Sequence, residues 1–365
     1  MTASVFNRIM RGGILTFCMF SYTIGVAQPN CTIGYVDGSR TITYDQAAVD
    51  EILHLSNYSA IFMGESHTLD FEPEFKYHFI RHLHEKYAVK DVIMEIGHSA
   101  AYFFNRFLQT GDTALLTNYR LPYLWGHYPE FWTKLYQYNR ELPDSIKLTI
   151  HGIDFERTEV FKLLAEKSDA PIPEFLSELF KRIDQLSKKT SLFFMDKEFQ
   201  SEFFHIKLAF QTHRDDFKRI YGARFPVVDR ALTNPVTVTT GVTPRNKGWL
   251  LNLKAILKNN DITKIVAFIG AAHARLNNTS SLPVSLPTNG FFSGKILTIS
   301  TIYHHFISAG GSAQVIEFGY KEEELFNTFY DPKCRGNFVR ASEIPKTTFK
   351  TEADFVLFAR EIPEP

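Results

Sequence analysis

Surplus charge is the first thing this 365-residue chain lacks. Forty basic side chains face forty acidic ones, for a formal net charge of zero. That balance argues against a nucleic-acid or polyanion binder, which would advertise a basic excess. Catalytic signatures are missing too. No Gly-x-Ser-x-Gly elbow appears, which disfavours a conventional serine hydrolase, and there is neither a phosphate-binding loop nor a dinucleotide fingerprint. Past the first 27 residues no segment is long and apolar enough to span a bilayer. Cysteine is scarce, with Cys18, Cys31 and Cys334 the complete set. Internal repeats, low-complexity tracts and the composition of a disordered chain are all absent.

What is present suits a folded domain of some size. Forty-four per cent of the residues are hydrophobic and fifteen per cent aromatic, enough to furnish a core and line a pocket. The N-terminus reads differently from the rest. Arg8 and Arg11 precede an apolar stretch from Gly13 to Ala27, with small residues at Gly25 and Ala27. A basic start, a short apolar run and small residues describe a secretory signal peptide over residues 1–28, with an uncleaved anchor as the alternative. The expectation is a secreted or periplasmic protein with no stable membrane insertion after cleavage. Residues 29–365 would then form a single domain. Loss of Cys18 leaves Cys31 and Cys334, which in an oxidising compartment either pair or remain two thiols.

Periodicity predicts short strands over 32–36 and 40–44, then a helix from Asp45 to Leu55 with Asp45 near its cap. A buried strand over 60–64 is followed by a helix over 72–87, with Phe75, Phe79 and Leu83 on one face. A strand at 91–95 and a helix at 99–108 come next, and this order implies neighbouring parallel strands joined by a right-handed crossover. A helix over 128–139 and a strand over 147–153 complete the first half. From about 159 to 235 strand signals vanish, and the stretch reads as a helical insertion. A helix over 245–259 buries Trp249, Leu250, Leu253 and Ile256, and a strand over 264–270 follows. Later strands are expected at 295–300, 313–318 and 354–360, and the proline-bearing stretch 281–289 reads as a loop. The fold class is α/β, a central mostly parallel sheet flanked by helices.

The informative feature is how the buried strands end. Ile61-Phe62-Met63-Gly64 runs into Glu65-Ser66-His67, Val92-Ile93-Met94 into Glu95, Gly152-Ile153 into Asp154, and Ile265 to Gly270 into Ala271-Ala272-His273. Chemistry in open α/β sheets sits at the carboxyl ends of the strands, so these side chains are expected at one rim. Each has a plainer reading. Glu65 and His67 could be surface groups of a loop, and Asp154 could cap the next helix. Glu95 is harder to dismiss, because an ionised carboxylate closing an apolar run is costly to bury unpartnered. His98 follows at a helix start, and His127 sits in an aromatic loop suited to line a pocket. His78 and His82, at i and i+4, have metal-binding spacing but read better as a solvated helix face. His304 and His305 offer no partner.

These motifs together, with Phe104 to Gly111, Phe131 to Asn139 and Arg245-Asn246, resemble the erythromycin esterase-like family. That family belongs to a wider group with ChaN-like haem-uptake and TraB/Tiki-type proteins. The resemblance covers residues 61–275 with the motifs in order. It implies an active cleft in which His67 is the general base on water. Glu65 and Glu95 would be its orienting or electrostatic partners, and His273 a transition-state group. His98, Asp154, Arg245 and His127 would contact substrate. The same shell, through His67, Glu95 and His273, could hold a divalent ion; otherwise no cofactor is implied. Two departures from the macrolide esterases, the short Glu65-Ser66-His67 spacing and Ala271 in place of an extra histidine, bear on substrate rather than on fold. The expected activity is hydrolysis of an ester or related bond of a small molecule, with no nucleic-acid partner. The alternative is a ChaN-like haem, iron or metal-binding protein without turnover.

Overall fold

The computed structural model describes residues 32–35, 42–65, 71–117, 129–189, 195–238, 241–304, 328–330, 334, 336–344 and 353–360. Among these, the strands are β1 (Ile33–Tyr35), β2 (Ile42–Tyr44), β3 (Ala60–Glu65), β4 (Asp91–Met94), β5 (Thr149–Gly152), β6 (Ile265–Gly270), β7 (Ile296–His304), β8 (Gly336–Arg340) and β9 (Phe355–Arg360). They form one sheet in the order β2-β1-β8-β9-β7-β3-β6-β4-β5. From β9 to β5 every neighbouring pair is parallel; the β2-β1-β8-β9 flank is antiparallel. The expected α/β class with a mostly parallel sheet is what the chain adopts.

Parallel strands are buried on both faces, and the sequence supplies side chains for each. Along β3, Ile61 and Met63 join the core formed with Phe75, Phe79 and Leu83 of the Phe71–Tyr87 helix. Ala60 and Phe62 point the other way, into a second core with Trp249, Leu253 and Ile256 of the Val242–Asn259 helix. This alternation puts the residues at the strand ends on predictable faces. Between residues 159 and 233 the described chain forms helices and no strand. Phe161, Phe180, Phe199, Phe210 and Phe217 of that stretch join the first core.

β5 lies at the sheet edge, where unpaired backbone groups invite aggregation. Two asparagines stand in for a missing strand. Asn105 Nδ2 donates to the Ile150 carbonyl and its Oδ1 accepts from the Ile150 amide, both at 2.8 Å. Asn139 Oδ1 accepts from the Leu148 amide at 2.7 Å.

Several expectations need correction. β3 and β4 are parallel but not neighbours, because β6 lies between them; the crossover rule fixes handedness, and a later strand can still insert. Residues 282–288 are helical rather than loop. A proline in the first turn lacks only an amide that a helix start leaves unpaired, and burial of Leu282 and Leu286 favours the turn. His82 is fully buried, bonded to Tyr44 Oη at 2.9 Å and Asp50 Oδ2 at 3.2 Å, so it is a core polar group and not a solvated one. β8 has no counterpart among the expected strands. The expected strand at 313–318 lies outside the described residues, as do His304's neighbour His305 and the leader. Asp45 does cap the Gln46–Leu53 helix, accepting from the Ala47 and Ala48 amides at 3.0 and 3.1 Å. Cys334 is buried and disulfide-bonded; Cys31 lies outside the described residues. Thr32 and Ile33, which follow it, run beside Gly336.

Candidate functional site

The carboxyl ends of β3, β6 and β4 lie side by side, and their register sets the site. Glu65, the last residue of β3, is in register with Gly270, the last of β6. The Gly270 amide donates to Glu95 Oε2 at 2.8 Å, so the residue just past β4 is tied to the end of β6. Three strand ends therefore lie side by side at one edge of the sheet. Glu65, Glu95 and His273 thus stand at one rim, with Glu65 and Glu95 on opposite faces of it.

On one face of the sheet, Glu65 is paired with Lys76 of the Phe71–Tyr87 helix. Both side chains are almost entirely buried, and the ammonium also lies over the Phe268 ring, 5.5 Å from its centroid. A buried carboxylate is tolerable here because its counter-ion is buried with it. Lys76 was invisible to sequence reading, since a lysine next to Phe75 on an amphipathic helix looks like one more solvated charge.

The opposite face carries a larger network, organised by Arg245. Its Nη2 donates to Glu95 Oε1 and to Asp154 Oδ2, each at 2.7 Å, and its Nε donates to Asp154 Oδ1 at 3.2 Å. Trp249 Nε1, one helical turn on, adds a bond to Asp154 Oδ1 at 2.9 Å. Asp154 is thus no helix cap. Burial opposes the Arg245 charge, but Asp154 and Glu95 outweigh it and hold the guanidinium above its ordinary pKa. Burial pushes the Asp154 carboxyl up from its usual value; Arg245 pulls it back, and the negative charge of Glu95 pushes it up again. The fork of Arg spans both acids in a way no lysine could.

His273 stands in the short Ala271–Ala274 helix directly after β6. Its ring lies on Trp249 with centroids 4.2 Å apart and 32° between planes. Nδ1 is 2.6 Å from Asn246 Oδ1, so with the amide oxygen as acceptor Nδ1 carries the proton and the lone pair sits on Nε2. Asn246, Trp249 and Arg245 thus place a histidine and two acids from one helix. Among the three, Asn246 was named in the sequence motif without a role.

Three expected residues lie elsewhere or beyond description. His67 and His127 fall outside the described residues. His98 is not gathered with Glu95 and His273. It begins the His98–Thr110 helix, whose first amides are held by Glu156 rather than by a residue of its own turn: Glu156 accepts from the His98 amide at 2.9 Å and the Ser99 amide at 3.1 Å. Asn234 joins Glu156 to the Asp154 carbonyl, at 3.0 and 2.7 Å, and Asn252 donates to the Ile153 carbonyl and Asn234 Oδ1, each at 2.9 Å. This buried scaffold fixes the backbone that carries Asp154.

A resident divalent ion does not fit what is seen of the donor set. Glu95 already offers its oxygens to Arg245 and Gly270, and a second cation would sit against the guanidinium. Among the described residues no group of three or more His, Cys, Asp or Glu is arranged to hold a metal ion. His67, the third member of the expected ligand set, lies outside them.

A scan against family models finds no match, and neither does a search of curated proteins. Solved structures do match. A mutant of the erythromycin esterase EreC in its open conformation aligns with a TM-score of 0.56 at 13% identity, over 87% of this chain and 94% of that one. A succinoglycan biosynthesis protein gives 0.56 at 11% identity over 87% and 92%, and a Bacillus cereus protein 0.54 at 12% over the same shares. The chain therefore shares the fold of erythromycin esterase, as the motifs implied. Among the described residues no helix is long and apolar enough to cross a membrane.

Proposed function

We propose that this chain is an exported hydrolase that cleaves an ester or related bond of a small molecule by histidine-assisted attack of water. The observation that carries the reading is the Arg245 clamp. It fixes Glu95 and Asp154 at the carboxyl edge of the sheet, beside a histidine whose tautomer is set by Asn246. Such pre-positioning serves chemistry better than stability, because buried ion networks are seldom the most stabilising use of a core. The shared fold with an erythromycin esterase supports this reading as a fold-level analogy. Export rests on the basic and apolar pattern of residues 8–27.

In this reading His67, two residues and about 7 Å of chain beyond Glu65, removes a proton from water as its oxygen adds to the carbonyl carbon. The proton then passes to the departing alkoxide as the carbon–oxygen bond breaks. Glu65, neutralised by Lys76, orients the base. In the same reading His273, its Nδ1 held by Asn246, accepts a hydrogen bond from the substrate through Nε2.

The test is His67→Ala assayed on an ester panel, with and without chelator. Loss of turnover with an unchanged melting temperature supports the assignment. Undiminished hydrolysis by the variant would overturn it.

A further inference from the structure

A cavity opens along the sheet edge. It has a volume of about 670 Å³ and runs beside β5 between the His98–Thr110 and Val242–Asn259 helices. Neither Glu95, Asp154, Arg245 nor His273 lines it. Its size suits a small organic molecule.

Peptide capture by strand addition is disfavoured at this edge. The outward groups of Leu148 and Ile150 are already taken by Asn139 and Asn105, so an incoming strand would displace bonds rather than add them. The side chains point to another class of ligand. His98, His151 and Arg230 line it, together with the apolar Ala101, Leu108 and Ile256. Burial holds the His98 imidazole below its ordinary pKa; Glu156 and Asn252 oppose that, and Arg230 and His151 add to it. His151 Nε2 donates to Asp91 Oδ1 at 2.8 Å, which fixes the ring and leaves Nδ1 of the neutral imidazole as an acceptor, so the donor to an anion here is Arg230. Arg230 is half-buried and carries no carboxylate partner among the described residues. A guanidinium kept partly out of water without a counter-ion is an unspent donor set for an oxyanion.

We propose that this cavity binds a small organic acid or phosphate ester, its oxyanion head held by Arg230 and its apolar body lying against Leu108 and Ile256. The site is separate from the hydrolytic one and does not depend on it.

The experiment uses the full chain and two probes with one body and different heads, benzoate and phenyl phosphate, titrated by calorimetry. Wild type is compared with Arg230→Gln, Arg230→Lys and His67→Ala. At least one probe should bind wild type and weaken by about tenfold or more in Arg230→Gln, the loss of a charge-assisted pair. Arg230→Lys should keep part of the affinity, and His67→Ala all of it. The better probe identifies the head group. If neither binds at about 10 mM, or if Arg230→Gln binds as well as wild type, the proposal fails. Loss of binding in His67→Ala would also refute it, by placing the probe in the hydrolytic cleft.

Discussion

Arg245→Met tests the centre of the network. The replacement keeps an apolar stem against Phe155 and Trp249, whose rings lie 5.3 and 5.0 Å from the guanidinium carbon, but removes every donor. Three bonds disappear, two to Asp154 and one to Glu95. Asp154, with its side chain fully buried, then keeps Trp249 Nε1 and an Arg157 nitrogen at 3.9 Å, too far to hydrogen-bond. Summing three charge-assisted bonds would overstate the loss, because the wild type also bears the cost of desolvating the guanidinium. Breaking a buried pair by deleting one partner typically costs about 3–5 kcal/mol, and Arg157 places the expectation near the lower figure. The loss should depend on pH, and the sign is fixed. Asp154 already titrates above its ordinary value, and without Arg245 its folded pKa rises further. An acid with a raised folded pKa binds more protons folded than unfolded, so the variant loses stability as pH climbs through that range. Urea unfolding followed by tryptophan fluorescence at pH 5 and pH 8 should show the smaller deficit at pH 5. Adding Asp154→Asn should recover part of the loss. A deficit below about 1 kcal/mol, or one identical at both pH values, would refute the view that Arg245 neutralises two buried acids.

Two further perturbations probe the frame around the site. Glu159 is buried, and burial pushes its carboxyl up to about 7, so the wild type should lose stability as pH rises from about 4.5 towards 7. Glu159→Gln should remove that slope and gain up to about 3 kcal/mol at pH 8; an unchanged slope in thermal melts across that range would show the penalty is absent. Gly152→Ala would set a methyl 2.3 Å from the Gly97 carbonyl oxygen and 2.6 Å from that of Ile96. Because both neighbours are backbone, the variant should lose about 3 kcal/mol or more, and an unaltered denaturation midpoint would contradict this.

Much of the site was legible in the chain because apolar strands announce their own ends. Glu65, Glu95 and His273 each follow a run whose burial could be read directly, and Arg245 and Asp154 followed from the motif order. What could not be read was pairing across the fold. Lys76 and His82 each look like solvent-facing charges, yet both are buried, because the partners that make burial tolerable come from other elements. His98 was grouped with the strand-end residues on sequence proximity to Glu95, but it lines the cavity beside β5, which Glu95 and His273 do not. The order of strands was equally hidden. Nothing local in 60–95 signals that a third strand will part the first two.

That insertion has a kinetic meaning. β3 and β4 are made early, and each must wait with an open edge until β6 arrives from beyond the whole helical stretch. Closure of the sheet centre is therefore a long-range event, the kind that slows folding and exposes unpaired edges in partly folded chains. It is also the step that brings the Gly270 amide to Glu95 and Gly270 itself beside Glu65. Joining of the sheet centre and tying of Glu95 to the end of β6 are thus one event, so a chain truncated before residue 265 would lack both.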